Sequence, residues 1–145
     1  MFKKILVPVD GSETAWRALN NALEIGKKFE SEILVVNVIQ PYNNAALLAV
    51  PLVHATINQG NSELEKVGDK VLELAKEMVG SYPHKVEYDM EVGHPSERII
   101  ALSKKVEADA IVLGSRGLSG IAEFFLGSVS SKVSQYATVP VLIVK

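Results

Sequence analysis

The 145-residue sequence has no cysteine, a single tryptophan and only 6% aromatic residues. Without cysteine there can be no disulfide framework, thiol nucleophile or thiolate-based zinc site, a composition that suits a reducing compartment. Neither sign of charge is in excess. Fifteen Lys+Arg face 17 Asp+Glu, a formal net charge of −2, which argues against a polyanion-binding surface and hence against nucleic acid as a partner. Long apolar runs are also lacking. The stretch 45–53 is broken by Pro51 and falls far short of the roughly 20 residues needed to span a bilayer, so no membrane association is expected. At the N-terminus, Ile5-Leu6-Val7 meets Pro8 and Asp10 well before the roughly 7–15 apolar residues of an export signal. A cytoplasmic protein is the expectation.

Apolar residues make up 48% of the chain. At this length a fold buries roughly 68–70% of the surface its unfolded chain exposes, enough for one domain over 1–145 without a metal or a covalent staple. Four apolar runs read as buried strands: Ile5-Leu6-Val7-Pro8-Val9, residues 33–39, Ala110-Ile111-Val112-Leu113 and residues 139–144. Mostly continuous instead of alternating, they match a parallel sheet covered on both faces. A fifth run, 86–92, alternates with period two and reads as a half-exposed strand nearer an edge. Helical stripes lie between the strands. The first carries Ala15, Ala18, Leu19, Ala22, Ile25 and Phe29 behind a Ser12 N-cap, and the second runs from Leu64 to Met78 and is closed by Gly80 and Pro83. A weaker third follows Pro95-Ser96, and a fourth follows Gly127-Ser128. Strands alternating with helices predict an α/β three-layer sandwich with right-handed crossovers.

One stretch breaks the rhythm. No residue from 33 to 62 is formally charged, and after Pro41 no convincing period emerges, so 41–61 is expected to be a long loop, either packed on the domain or acting as a lid.

Ligands of open parallel sheets bind beyond the carboxyl ends of strands. The first strand ends in Pro8-Val9-Asp10-Gly11-Ser12. Asp10 there can accept a hydrogen bond from a ligand or cap the helix, and an Asp ahead of a helix start caps it more often. The fourth strand runs into Gly114-Ser115-Arg116-Gly117-Leu118-Ser119-Gly120, followed by Gly127-Ser128-Val129-Ser130-Ser131. The glycines let the backbone curl and bring successive N–H groups near a ligand. A helix opening at the second cluster presents unpaired N–H groups and a positive dipole end, Ser128, Ser130 and Ser131 add hydroxyls, and Arg116 adds a guanidinium, all suited to polyphosphate. The spacing is neither the Walker A loop nor the Gly-x-Gly-x-x-Gly dinucleotide fingerprint, and no Gly-x-Ser-x-Gly nucleophile elbow occurs.

Gly114-x2-Gly117-x9-Gly127-Ser128, behind an Ile-Val-Leu strand and ahead of Val-Pro-Val-Leu-Ile-Val, resembles the universal stress protein family over the whole length. The spacing is that of its ATP-binding branch. The resemblance implies a five-stranded parallel sheet of order 3-2-1-4-5, the adenine nucleotide alpha hydrolase-like arrangement. It further implies that Pro8, Val9 and Asp10 line the nucleoside end, that Val38 offers backbone hydrogen bonds to adenine, and that Gly114, Ser115, Arg116, Gly117 and Gly120 approach ribose and phosphates. Gly127, Ser128, Val129 and Ser130 would hold the phosphate chain. ATP, ADP or AMP is the implied ligand. Mg or Mn would be held through the phosphates, since no carboxylate cluster suits an all-protein metal site. The family also implies a homodimer joined through the strand 141–144, a pairing with its own physical motive, since an open apolar edge strand invites aggregation.

Catalysis has little to stand on. His54 falls in the 41–61 stretch, His84 follows Pro83 and His94 lies in Gly93-His94-Pro95, none with a motif partner, and no base is evident to activate Ser119 or the serines 128–131. The reading is a nucleotide-dependent binding and regulatory module in stress response, with slow ATP hydrolysis at most. Alternatives are a true ATPase or nucleotide-using enzyme and a ligand-free dimerisation module.

Overall fold

The computed structural model describes residues 1–41, 51–117 and 126–145, with backbone alone for 51–59. Its elements run β1 (Lys4–Pro8), α1 (Glu13–Phe29), β2 (Glu32–Ile39), α2 (Pro51–Val79), β3 (Val86–Val92), α3 (Pro95–Lys105), β4 (Ala110–Gly114), α4 (Ser128–Tyr136) and β5 (Val141–Val144). All strand pairs are parallel and the sheet order is β3-β2-β1-β4-β5, as the resemblance implies.

β1, β2 and β4 are buried because each side feeds a separate core, whereas the expectation of a buried strand over 139–144 is corrected: β5 lies at the sheet edge, with Leu142 43% exposed. Ile5, Val7, Ile33, Val35, Ala110 and Val112 pack under α1 and α2, while Leu6, Leu34, Val36, Ile111 and Leu113 pack with Ile99, Leu102 and Val133 of α3 and α4. Period-two alternation divides each strand between the two cores. β3 is an edge strand whose residues are at most half-buried, in keeping with its polar alternation.

The expected 41–61 loop is corrected over most of its length. α2 begins at Pro51, so residues 51–61 are helix, and 42–50 lie outside the described residues. Pro51 occupies the first helical position, where its missing N–H costs no intrahelical bond. The uncharged residues after it carry no alternation of charge to betray a helical face, which hid the period. His54 accordingly belongs to the helix, not to a loop.

Where α1 meets the chain leading to β3, Gly26 leaves room for Tyr82, whose hydroxyl would overlap any side chain at that position. The Tyr82 hydroxyl donates to the Ser31 carbonyl at 2.8 Å, and burial raises its phenol above the ordinary value. α1 ends at Glu30 in the left-handed conformation, φ 56°, its N–H donating to the Gly26 carbonyl. A side chain in that region costs about 1 kcal/mol that glycine avoids. Glu30→Gly is therefore expected to raise the urea midpoint by an equivalent amount with an unchanged slope, and a lower midpoint would contradict the strain.

Candidate functional site

β1 and β4 lie side by side, and their chains leave the sheet on opposite faces: β1 feeds α1, while α4, which follows β4, packs on the other side. The space between the diverging chains is a cavity of about 550 Å³ at the carboxyl ends of the strands. That is the position where open α/β sheets bind ligands.

After β1, Asp10 Oδ1 accepts from the Ser12 N–H at 2.9 Å, and Ser12 Oγ accepts from the Ala15 N–H at 3.3 Å. Ser12 is thus the N-cap of α1, as expected, and the reading of Asp10 as the cap is corrected. Asp10 is exposed and lines the cavity beside Pro8 and Val9. Between them Gly11, at φ +89°, turns the chain out of the sheet in a conformation side chains rarely adopt. A Cβ on Gly117 would stand 3.0 Å from Asp10 Oδ2, so the bare backbone there lets the two loops close on each other.

The loop after β4 is held from both sides. Thr14 Oγ1 donates to the Arg116 carbonyl at 2.6 Å, tying the loop to the first turn of α1. Ser115 N–H donates to the Val144 carbonyl at 2.7 Å, and the Ser115 carbonyl accepts from the Gly127 N–H at 2.7 Å and from Ser130 Oγ at 2.8 Å. The start of α4 is therefore fastened to the end of β4. This corrects the role given to the Ser130 hydroxyl, which is buried and donates inward to the Ser115 carbonyl. What remains for a ligand is the backbone. Gly127 is the N-cap with no side-chain cap bond, and the first helix bond is Ser131 N–H to the Gly127 carbonyl at 2.9 Å. The N–H groups of Ser128, Val129 and Ser130 have no intrahelical acceptor, the arrangement that favours an anion.

Twelve of the thirteen site residues expected from the sequence line this one cavity: Pro8, Val9, Asp10 and Val38, Gly114, Ser115, Arg116 and Gly117, and Gly127, Ser128, Val129 and Ser130. Gly120 lies outside the described residues. Arg116 is half-buried, and among the described residues its guanidinium makes no ion pair. Ser131 is not part of the lining. The reading missed the apolar wall: Val36, Leu113, Ile99, Pro95 and Leu126, together with Ser12 and Ala15. Period two on β2 would have placed Val36 on the same face as Val38, but nothing in the sequence brings α3 over the same space.

Neither His84 nor His94 lines the cavity; His94 caps α3 by position, with Nδ1 3.1 Å from Ser96 Oγ, and His84 packs edge-on against Tyr82. Among the described residues no group of three or more His, Asp or Glu could hold a metal ion.

Gly114 is where the architecture is least tolerant. A Cβ there would lie 2.5 Å from Thr14 Oγ1 and 2.8 Å from the Ala15 nitrogen. Because the second contact is backbone, Gly114→Ala must push β4 from α1, and an overpacking cost of about 1–3 kcal/mol is expected in urea unfolding. Unchanged stability would show that the approach is looser than described.

The universal stress protein family model matches residues 1–145. Universal stress protein YxiE of Bacillus subtilis is 37% identical over 150 residues, covering all of both chains. The solved structure of protein MJ0577, from Methanocaldococcus jannaschii, superposes with a TM-score of 0.81 at 31% identity, covering 100% of this chain and 96% of that one. A universal stress protein solved in complex with cAMP superposes with a TM-score of 0.67 at 26% identity, covering 99% and 96%. The sheet order, the cavity between β1 and β4 and the match over the full length agree: the chain belongs to the universal stress protein family.

Proposed function

We propose that this chain binds ATP, or its products ADP and AMP, in the cavity between β1 and β4 and acts as a nucleotide-dependent regulatory module of the cytoplasmic stress response. The observation that carries the reading is the set of N–H groups without an intrahelical acceptor at the start of α4, fastened beside the glycine-built loop 114–117 on one cavity. Three convergent donors and a positive helix end suit phosphate oxygens, and the Arg116 guanidinium suits the same charge. The apolar wall of Val36, Val38, Leu113 and Ile99 suits a nucleobase. That a family member 26% identical was solved with cAMP supports an adenine ligand. Mg or Mn is held through the phosphates in this reading, Asp10 being the one carboxylate of the lining among the described residues.

Turnover has no comparable support. Among the described residues the lining offers no histidine, and phosphoryl transfer requires a positioned water or acceptor besides the cradle. Slow hydrolysis at most is the proposal. The second subunit is part of it. β5 is an edge strand, and its bonds to β4 use the Pro140 and Val144 carbonyls, so the backbone groups of Val141 and Ile143 point to the open side. Such an edge is closed by a second copy of itself. Light scattering coupled to gel filtration is expected to give twice the 15.7 kDa chain mass; the chain mass itself at micromolar concentration would reject the dimer.

The cradle is tested by Gly127→Asp. φ at Gly127 is −61°, which any residue adopts, and Asp is a favoured N-cap, which offsets the 3.2 Å approach of its Cβ to the Ser115 carbonyl oxygen, so folding should survive. Its carboxylate would satisfy the donors meant for phosphate and repel what remains. Calorimetric titration with ATP and magnesium is expected to show affinity reduced by at least about tenfold in a variant that still unfolds cooperatively. Full affinity in the folded variant would remove α4 from the site.

A further inference from the structure

Asn37 is a polar residue in the middle of the apolar run of β2, and it is 5% exposed. What it does follows from which way the groups of β2 face. Glu32 N–H donates to the Lys3 carbonyl at 2.7 Å and the Val36 carbonyl accepts from Val9 N–H at 2.8 Å, so even-numbered residues face β1. Ile33 N–H donates to the Lys85 carbonyl at 3.0 Å and the Ile39 carbonyl accepts from Gly93 N–H at 2.9 Å, so odd-numbered residues face β3. Val38 therefore turns its N–H and C=O toward β1, just where β1 has ended. The next rung in register would join the Val38 N–H to the Val9 carbonyl. Among the described residues that rung is not formed: the Val9 carbonyl accepts instead from Asn37 Nδ2 at 2.8 Å. The Gly11 N–H, next in register for the Val38 carbonyl, makes no bond to it either, because Gly11 turns the chain away.

The asparagine is not there for stability. Its Oδ1 has no hydrogen-bond donor among the described residues, and a buried unpaired acceptor is unfavourable where an aliphatic side chain would have none. Room for it is made by Gly68 of α2, where a Cβ would stand 2.8 Å from Oδ1. A side chain kept at a cost, in a place opened for it by a helix glycine, has one productive contact: the Val9 carbonyl.

We propose that Asn37 is the positioning residue for base selectivity, holding the Val9 carbonyl in place of the missing rung so that the Val38 N–H and C=O stay unpaired at the cavity wall. This rests on the reading of the cavity as an adenine-nucleotide site. One N–H beside one C=O complements the Watson–Crick edge of adenine, where N1 accepts and N6–H donates. Hypoxanthine and guanine present the reverse, O6 accepting and N1–H donating, and would leave both Val38 groups facing like groups. Asn37 touches no ligand in this scheme; it acts through Val9 and Val38.

The test compares ATP, ITP and inorganic triphosphate, each with magnesium, on the wild-type chain and on Asn37→Leu, with Asn37→Ala as the smaller variant that cannot crowd Gly68. The wild type is expected to prefer ATP over ITP by about tenfold or more, the worth of one or two hydrogen bonds. In the variants the ratio should fall toward one while triphosphate binds unchanged, because the free Val38 N–H closes onto the Val9 carbonyl. Amide exchange at Val38 in the ligand-free protein should slow in the variants for the same reason. A retained ATP/ITP ratio, an equal loss for all three ligands, or unaltered exchange at Val38 would overturn the role of Asn37. A wild type that binds triphosphate without distinguishing ATP from ITP overturns it too, yet leaves the phosphate cradle standing. Failure of the wild type to bind any of the three brings down the cavity reading itself and this proposal with it.

Discussion

The N–H groups of Ser128, Val129 and Ser130 at the start of α4 have no intrahelical acceptor, and their position is kept by close approach. β4 can run against the first turn of α1 only because Gly114 has no side chain to strike Thr14 and the Ala15 nitrogen. That approach puts the Arg116 carbonyl on Thr14 Oγ1, which fixes the loop 114–117, and the loop's Ser115 carbonyl in turn anchors Gly127 and Ser130. The start of α4 is thereby aimed at the carboxyl ends of β1 and β4. Each contact depends on the one before it, so the donors of the first turn of α4 owe their direction to the close approach at Gly114.

The serines illustrate how polar residues serve this arrangement without touching a ligand. Ser12 caps α1 and also reaches the Arg116 carbonyl, at 3.4 Å, while the hydroxyl of Ser130 is turned inward. Hydroxyls that look like ligand contacts in a Gly/Ser-rich sequence instead satisfy carbonyls exposed by the turn, as buried polar groups must. In the proposed reading phosphate is then held by main-chain donors with Arg116 beside them, and main-chain donors are lost only where a new side chain fills the space.

Much of the fold was legible because period and length coincide with burial. The continuous apolar runs of β1, β2 and β4 gave covered strands, and Val86 to Val92, with its alternating charges, fell at an edge; the equally apolar run of β5 also fell at an edge, which its composition did not betray. The residues 51–61 were not legible as helix, since a helix face is recognised by contrast and that stretch has no charge to supply it. The glycine and serine clusters pointed to the cavity because glycine is required at specific approaches, whereas the apolar wall did not stand out: Ile99 and Leu113 look like any core residue until the packing of α3 places them at the cavity. The strand order came from resemblance, not from periodicity. Asn37 was visible as a polar residue in an apolar strand, but its partner depends on the register of β1 and β2, which the sequence does not display.

The most direct measurement is to denature freshly purified protein, identify any released nucleotide by chromatography and mass, and titrate a stripped sample with ATP and magnesium. The account predicts an adenine nucleotide in the released fraction or saturable binding of ATP at one site per chain. No nucleotide released and no binding at millimolar ATP would contradict it, leaving a universal stress protein fold whose cavity holds something else.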